Sequence, residues 1–372
     1  MPDVTGADVA VVGAGLVGAS LAWGFARAGA SVLLFDAAED HLHASAGNFG
    51  LVWVQGKGRG APDYARLSRR SADAWAAFAD TLADEHGAPA YTRCGGVKIA
   101  LSAAELERFA LELERMHNQP DPGDNDTRMI DRRELLALVP QVGPDARGGT
   151  FCPHDGHADP LATLHALHRA LGRHDGVRTV RARAERVEPL PDALFRLDTD
   201  EARFVARRVV LAAGLASTAL AGPLGLDARV RPERGQIVVT ERVAPFLDIA
   251  CHTVRQCAEG TLLIGDSKED VGFDDGTTPA ATRSMLHRAT RCFPHLARVR
   301  ATRTWGALRV LSPDGLPIYE HSRRHPGATL VTCHSGVTLA AAHASEVAEA
   351  ILEGRLEERY GAFSPARFGD AA

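Results

Sequence analysis

The chain has 372 residues, of which 45% are apolar and 24% charged, and a formal net charge of −5. That balance is ordinary for a soluble protein of more than one domain, and it excludes a nucleic-acid binder, which would show a basic face. With no run of about 18 apolar residues, a membrane span is excluded too.

The N-terminal apolar stretch does not read as a signal peptide. It has no Lys or Arg before Arg27, and Gly13, Gly15 and Gly18 interrupt it as a turn would. Cytoplasmic residence is the expectation. The six cysteines are scattered and form no CxxC pair, so neither a disulfide framework nor a metal site is expected in this chain.

Asp8 to Val12 reads as a buried parallel strand, followed by Gly13-Ala14-Gly15-Leu16-Val17-Gly18 and an Ala-rich helix to about Ala28. Ser31 to Phe35 is a second strand ending in Asp36, which completes a βαβ unit. A loop rich in Gly, His and Asn runs from His41 to Gly60. Helices follow over Arg66 to about Ala83 and Ala103 to His117, with a strand at Val97 to Leu101 between them and a polar loop at Asn118 to Thr127. Pro160 starts another helix, where the first turn needs no donor. Phe195 to Thr199 and Arg203 to Val205 alternate like a hairpin leading into the buried strand Val209 to Gly214. Gln236 to Thr240 and Thr261 to Ile264 predict strands of a separate sheet. Ala328 to Cys333 is a strand and Val337 to Leu352 an apolar helix.

The glycine motif has a mechanical meaning. Gly13 permits the tight turn, Gly15 lets the backbone approach a pyrophosphate, and Gly18 lets the helix pack close to the strand. The helix N-terminus then offers free N–H groups to phosphates, and Asp36 can bind ribose hydroxyls. An NAD domain would continue into further βα repeats soon after Asp36. Here the next clear parallel-type strand waits until Val209, as in a flavoprotein whose nucleotide domain is interrupted by another.

With these pieces in order, the chain resembles the D-amino-acid oxidase, glycine oxidase and sarcosine oxidase family over nearly its whole length. The likeness rests on Val12 to Gly18 with Asp36, Ala44 to Gly50, Pro232 to Gln236, and Gly265-Asp266 with Gly272-Phe273. It continues in Trp305 to Arg309, Pro313 to Pro317 and Ser335 to Ala340. The resemblance implies an α/β fold: a Rossmann-like FAD-binding domain of the glutathione-reductase-like kind, from residues 1–85, 150–225 and 300–372. A mixed-sheet α+β substrate domain, from 86–149 and 226–299, would complete it.

It further implies non-covalent FAD, because Ala307 stands where sarcosine oxidases carry the flavin-linked cysteine. Flavin contacts are implied for Gly13, Gly15, Leu16, Val17, Gly18, Asp36 and Ala37, and for Ser45, Ala46, Asn48, Gly50 and Leu51. Val187, Ala213, Gly214, Gly306 and Leu308 are implied to join them. Gly336, Val337, Thr338 and Leu339 would meet the pyrimidine end, with Thr338 in place of that branch's lysine. Arg309 is implied to grip the substrate carboxylate, its planar fork donating two parallel bonds; Arg255 and Lys57 are the fallback anchors. Asn48, Arg255 and His252 complete the candidate catalytic set. His154-Asp155-Gly156-His157-Ala158-Asp159 looks like a metal cluster but precedes Pro160 in a turn into a helix, and His41 and His43 flank the flavin loop.

The stretch Asn48 to Gly58, with Arg255-Gln256 and Ile264 to Glu269, is similar to the flavin (beta) subunits of bacterial hydroxyproline and opine dehydrogenases. The expected reaction is dehydrogenation of an amino acid or secondary amine α to a carboxylate, by hydride transfer from the α-carbon to flavin N5. The leading substrate is cis-4-hydroxy-D-proline. Electrons would pass to a quinone or to partner electron-transfer subunits, an iron–sulfur subunit among them, which allows a peripheral place at the inner membrane. The alternatives are a glycine or D-amino-acid oxidase making peroxide, an opine or sarcosine dehydrogenase subunit, and a non-catalytic flavin-bearing assembly subunit.

Overall fold

The computed structural model describes residues 4–37, 44–86, 91–121, 123, 126–265 and 267–369. The chain opens with β1 (Val4–Val12), α1 (Leu16–Arg27), β2 (Val32–Phe35), β3 (Leu51–Val52) and the long α2 (Pro62–His86). Then come β4 (Tyr91–Thr92), β5 (Gly96–Ala100), α3 (Ala103–His117), β6 (Arg128–Asp131) and α4 (Arg132–Leu138). The middle of the chain supplies β7 (Gly148–Cys152), β8 (Gly156–Ala158), α5 (Pro160–Arg173), β9 (Val177–Val180), β10 (Arg186–Pro189), β11 (Phe195–Asp198), β12 (Arg203–Leu211) and α6 (Ser217–Ala221). The remainder holds β13 (Arg231–Thr240), β14 (Ala250–Cys251), β15 (Val254–Gln256), β16 (Leu262–Ile264), α7 (Pro279–Cys292), β17 (Ala301–Leu311), β18 (Ile318–His321) and β19 (Ala328–Thr332).

The eight-stranded sheet runs β10-β11-β12-β1-β2-β9, with β19 also on β12 and β18 on β19. β1 pairs in parallel with both β2 and β12, and β12 with β19. Such central strands are covered on both faces, which is why Val9 to Val12 form a continuous apolar run. α1 is buried almost all round because α5 and the C-terminal helical run pack on it. Gly24 makes that contact possible: a Cβ there would lie 2.6 Å from the Ala344 carbonyl oxygen.

Two further sheets, β15-β16-β13-β17 and β14-β5-β7-β6, enclose an apolar cluster with α7. β17 pairs with β13 from Arg231↔Leu311 to Thr240↔Ala301, and β7 pairs with β5 and β6. Sequence periodicity does not report such long-range pairing. A small sheet, β3-β8-β4, brings together residues 51–52, 156–158 and 91–92.

Candidate active site

At the carboxyl ends of β1 and β2, paired at Val12↔Phe35, the glycine motif and Asp36 lie side by side. Gly13 has φ +102, and a Cβ on it would be 2.6 Å from the Ala213 Cα; one on Gly18 would be 1.8 Å from the Gly13 carbonyl oxygen. No side chain larger than hydrogen fits either place. Gly15 is the N-cap of α1 and offers no side-chain cap, and the first turn carries no acid. Leu16 N donates to Ser45 Oγ at 2.9 Å, which fixes the second loop beside the helix start. A helix start without an N-cap side chain or acid, a cradle of small residues and an acid on the next strand fit a dinucleotide's pyrophosphate and ribose. Val187 lies farther out, buried in β10 of the same sheet, and Gly214 follows β12 with φ +56.

The loop after Ser45 is shaped by Asn48, whose Oδ1 accepts from Gly50 N at 2.8 Å, and Gly50 takes φ +91. Trp305 Nε1 donates to the Gly47 carbonyl at 3.2 Å. The Phe49 ring packs where a Cβ on Gly265 would be, 2.9 Å away. The loop is thus pinned between the nucleotide fold and the β13–β17 sheet, while Leu51 leaves it to pair with His157. The C-terminal segment arrives from the other side. Gly336 abuts Val17 of α1, and Tyr64 and Ser335 share a hydrogen bond of 2.6 Å. Trp75 Nε1 and Ser71 Oγ donate to the Thr338 carbonyl, holding Val337, Thr338 and Leu339 buried. The Gly13 turn, the Ser45 loop and the Ser335 to Leu339 segment, distant in sequence, are therefore joined through α1 and α2.

Directly paired residues of an antiparallel ladder share a face. Glu233↔Arg309 and Gly235↔Ala307 therefore put Trp305, Ala307 and Arg309 on the face turned to the Gly47 loop. Gly306 and Leu308 project to the opposite face, where a Cβ on Gly306 would meet the carbonyls of Asp275 and Gly276. Arg309 lies over Gly235; its Nη1 donates to Glu233 Oε1 at 3.1 Å and to the Ser267 carbonyl at 2.8 Å. Arg255 is buried in β15, its guanidinium beside Gly50. His252 is half-buried, its Nε2 at 3.2 Å from Thr253 Oγ1.

Three further residues stand near these segments, one of them Lys57, a fallback anchor in the sequence reading. Lys57 Nζ donates to Thr338 Oγ1 at 2.8 Å, so an ammonium stands beside Thr338 after all, supplied by another segment. Burial brings its pKa down to about 7. Asp155 accepts from Val54 N and from Gln55 Nε2, the latter at 2.6 Å, and burial pushes its pKa up to about 7. His334 is exposed, and the protein around it, then the charges of Lys57, Arg309 and Lys268, lower its pKa. Arg309, Lys57 and Lys268 therefore make the neighbourhood of His334 positive.

The remaining members of the histidine-rich turn have other partners. His154 Nε2 meets Asp126 at 2.6 Å and Asp159 caps α5. Among the described residues no cluster is set out to hold a metal ion. His41, His43 and Asp266 lie outside the described residues.

The sequence matches the profile of a family described as "FAD dependent oxidoreductase" over residues 8–350. A subunit of the opine oxidase of Agrobacterium tumefaciens (strain Ach5) is 40% identical over 362 residues, 97% of either chain. Glycine oxidase of Pseudomonas aeruginosa is 28% identical, covering 93% of this chain and 95% of its own. The crystal structure of glycine oxidase from Geobacillus kaustophilus superposes with a TM-score of 0.84 at 21% identity, over 98% of both chains, and so shares the fold.

Proposed function

Because the chain belongs to the FAD-dependent oxidoreductase family and is an FAD-dependent enzyme acting on amino acids or amines, we propose that it dehydrogenates a secondary amine α to a carboxylate. The observation that carries this reading is the place of Arg309, on the face of β17 from which Trp305 holds the Gly47 loop, together with Lys57 bonded to Thr338. A cleft that is positive there favours a carboxylate over a neutral amine or alcohol. Arg309 would take the carboxylate and orient the α-carbon, and the buried wall of Val337, Thr338 and Leu339 would keep water out. Bound FAD supplies the two-electron acceptor that no side chain can.

Of the secondary amines suggested by the sequence, likeness to an opine oxidase favours an opine over cis-4-hydroxy-D-proline. That relative is named as one subunit of its enzyme, which also favours a hetero-oligomer whose electrons leave to another polypeptide or a quinone. The test is anaerobic bleaching of the bound flavin by D- and L-amino acids, N-methyl amino acids, hydroxyproline and opines, followed by dye against oxygen turnover. Bleaching by opines with dye reduction well ahead of oxygen uptake is expected. Peroxide formed at the dye rate would select the oxidase reading, and no bleaching by any carboxylated amine would leave only an assembly role.

A further inference from the structure

A buried guanidinium normally has an acid or several carbonyls around it, because leaving it unanswered is costly. Arg255 is 4% exposed, yet among the described residues nothing accepts from it, and its Nε is buried without a partner. The ionisable groups around it do not supply the missing anion. His157 is held neutral by burial and by Arg255 itself, its pKa down to about 4. Asp159 is occupied at the start of α5, accepting from Ala162 N at 2.9 Å.

Its direction follows from the ladders. Arg255 pairs with Leu263 and Leu263 with Val239, which shares a face with Gly235 and Glu233, the partners of Ala307 and Arg309. Arg255 and Arg309 therefore stand on one face, at the two edge strands of the β15-β16-β13-β17 sheet. That face is the one on which the flavin loop rests, through Trp305 to Gly47 and through Phe49 over Gly265. The opposite face, with Val238, Val254 and Ile264, is packed into the apolar cluster. Gly50 leaves room for the guanidinium: a Cβ there would be 3.3 Å from the Arg255 Cζ.

We propose that Arg255 binds a second carboxylate of the substrate, remote from the one taken by Arg309, so that the enzyme selects dicarboxylic secondary amines. This rests on the amine-dehydrogenating reading above and adds a residue and a selectivity to it. The phosphates of a dinucleotide are an unsuitable alternative anion, since their place is at the Gly13 to Gly18 turn that opens α1, where Leu16 N holds Ser45 Oγ.

The test separates binding from turnover. With the FAD-loaded protein, in its complex if it has one, glutarate and butyrate are titrated against the flavin absorbance. The parent should bind glutarate about tenfold or more tightly than butyrate. Arg255→Met should bring the two to equality by weakening glutarate alone, and Arg255→Lys should recover part of the preference. If Arg255→Met loses its flavin, Arg255→Gln is used instead. Equal binding of the two acids by the parent, a preference surviving removal of the guanidinium, or equal weakening of both acids would overturn the assignment. Amines that fail to bleach a flavin still showing the Arg255-dependent preference would sink the dehydrogenase reading and leave the anion site standing.

Discussion

Arg309 does not wait unpaired for its ligand: Glu233 holds Nη1 at 3.1 Å, and both side chains are largely buried. A substrate carboxylate has to compete with Glu233, so two substitutions at this pair should act differently. Arg309→Met should weaken substrate roughly tenfold to 150-fold while FAD stays bound, because a charge-assisted contact contributes about 1.5–3 kcal/mol. Glu233→Gln should leave affinity unchanged or tighten it. Stopped-flow flavin reduction against substrate concentration measures both, and if Glu233→Gln loses as much affinity as Arg309→Met, the pair is a structural ion pair. Lys57 permits a prediction of another kind. Its folded pKa of about 7 lies below the ordinary 10.5. The unfolded chain therefore holds a proton that the folded one releases between those values, and stability rises with pH through that window. Below pH 7 the cost of burying the ammonium is present in full. Lys57→Met should accordingly stabilise the protein at pH 6, by on the order of 1–3 kcal/mol after solvent screening, with the gain fading by pH 9.5. Thermal melts at the two pH values decide it; a loss of stability at pH 6 would show that the bond to Thr338 outweighs desolvation.

At the scale of elements, local rules and close packing explain most of what is built. α3 spans Ala103–His117 as its periodicity predicts, with Ser102 accepting from Glu105 N at 3.1 Å as cap. α5 starts at Pro160 behind the Asp159 cap, and β11 with β12 makes the expected hairpin. Expectation and structure part where contacts are distant in sequence. The apolar run from Val337 does not form one regular helix: Ala340–Ala342 is α-helical, His343–Val347 is π-helical, and Ala348–Leu352 resumes the α-helix. His343 lies in that bulge with Nε2 at 2.7 Å from the Tyr319 hydroxyl, a partner that helical spacing cannot reveal. β3, β4 and β8, of two or three residues each, are too short to leave a pattern. The nucleotide turn was legible because its constraint is local, and it can be tested locally. Gly18→Ala drives a methyl into the Gly13 carbonyl, backbone on backbone, and should cost about 3 kcal/mol or more and release FAD. Gly15→Ala meets only the Ser45 hydroxyl at 2.9 Å, which can rotate. It should stay folded and lose flavin affinity more mildly. The ratio of absorbance at 450 nm to that at 280 nm in purified protein reads the order, and equal retention by both variants would contradict it.

Over the whole molecule, the crevice is assembled from parts that the chain delivers far apart. Trp305 bonds to Gly47, Lys57 and Trp53 to Thr338, and Tyr64 to Ser335. Sequence reasoning reached the individual segments through their motifs. It missed the place of Lys57 because that depends on Thr338, 281 positions away, and it did not foresee the pairing of Arg309 with Glu233 because strand pairing is not written in periodicity. This assembly makes the cofactor a thermodynamic link between the glycine turn, the Ser45 loop and the C-terminal segment. A ligand that binds only the folded state stabilises it by RT ln(1 + [L]/Kd), about 2.7 kcal/mol at one hundred times Kd. For a chain of this size that should appear as a rise in Tm of a few degrees. We predict such a rise when FAD is restored to acid-stripped protein, and none with NAD, whose nicotinamide offers nothing for the loop around Asn48 or for Thr338 to hold. The flavin should come off intact in acid, since Ala307 gives no sulfur for attachment. In Gly18→Ala the rise should shrink or vanish, because the pyrophosphate cradle is then displaced while the rest of the crevice is unchanged. Differential scanning calorimetry of the stripped protein with each nucleotide measures this directly. An equal rise with NAD, or flavin that stays with the acid precipitate, would show that the crevice does not hold FAD as these contacts imply.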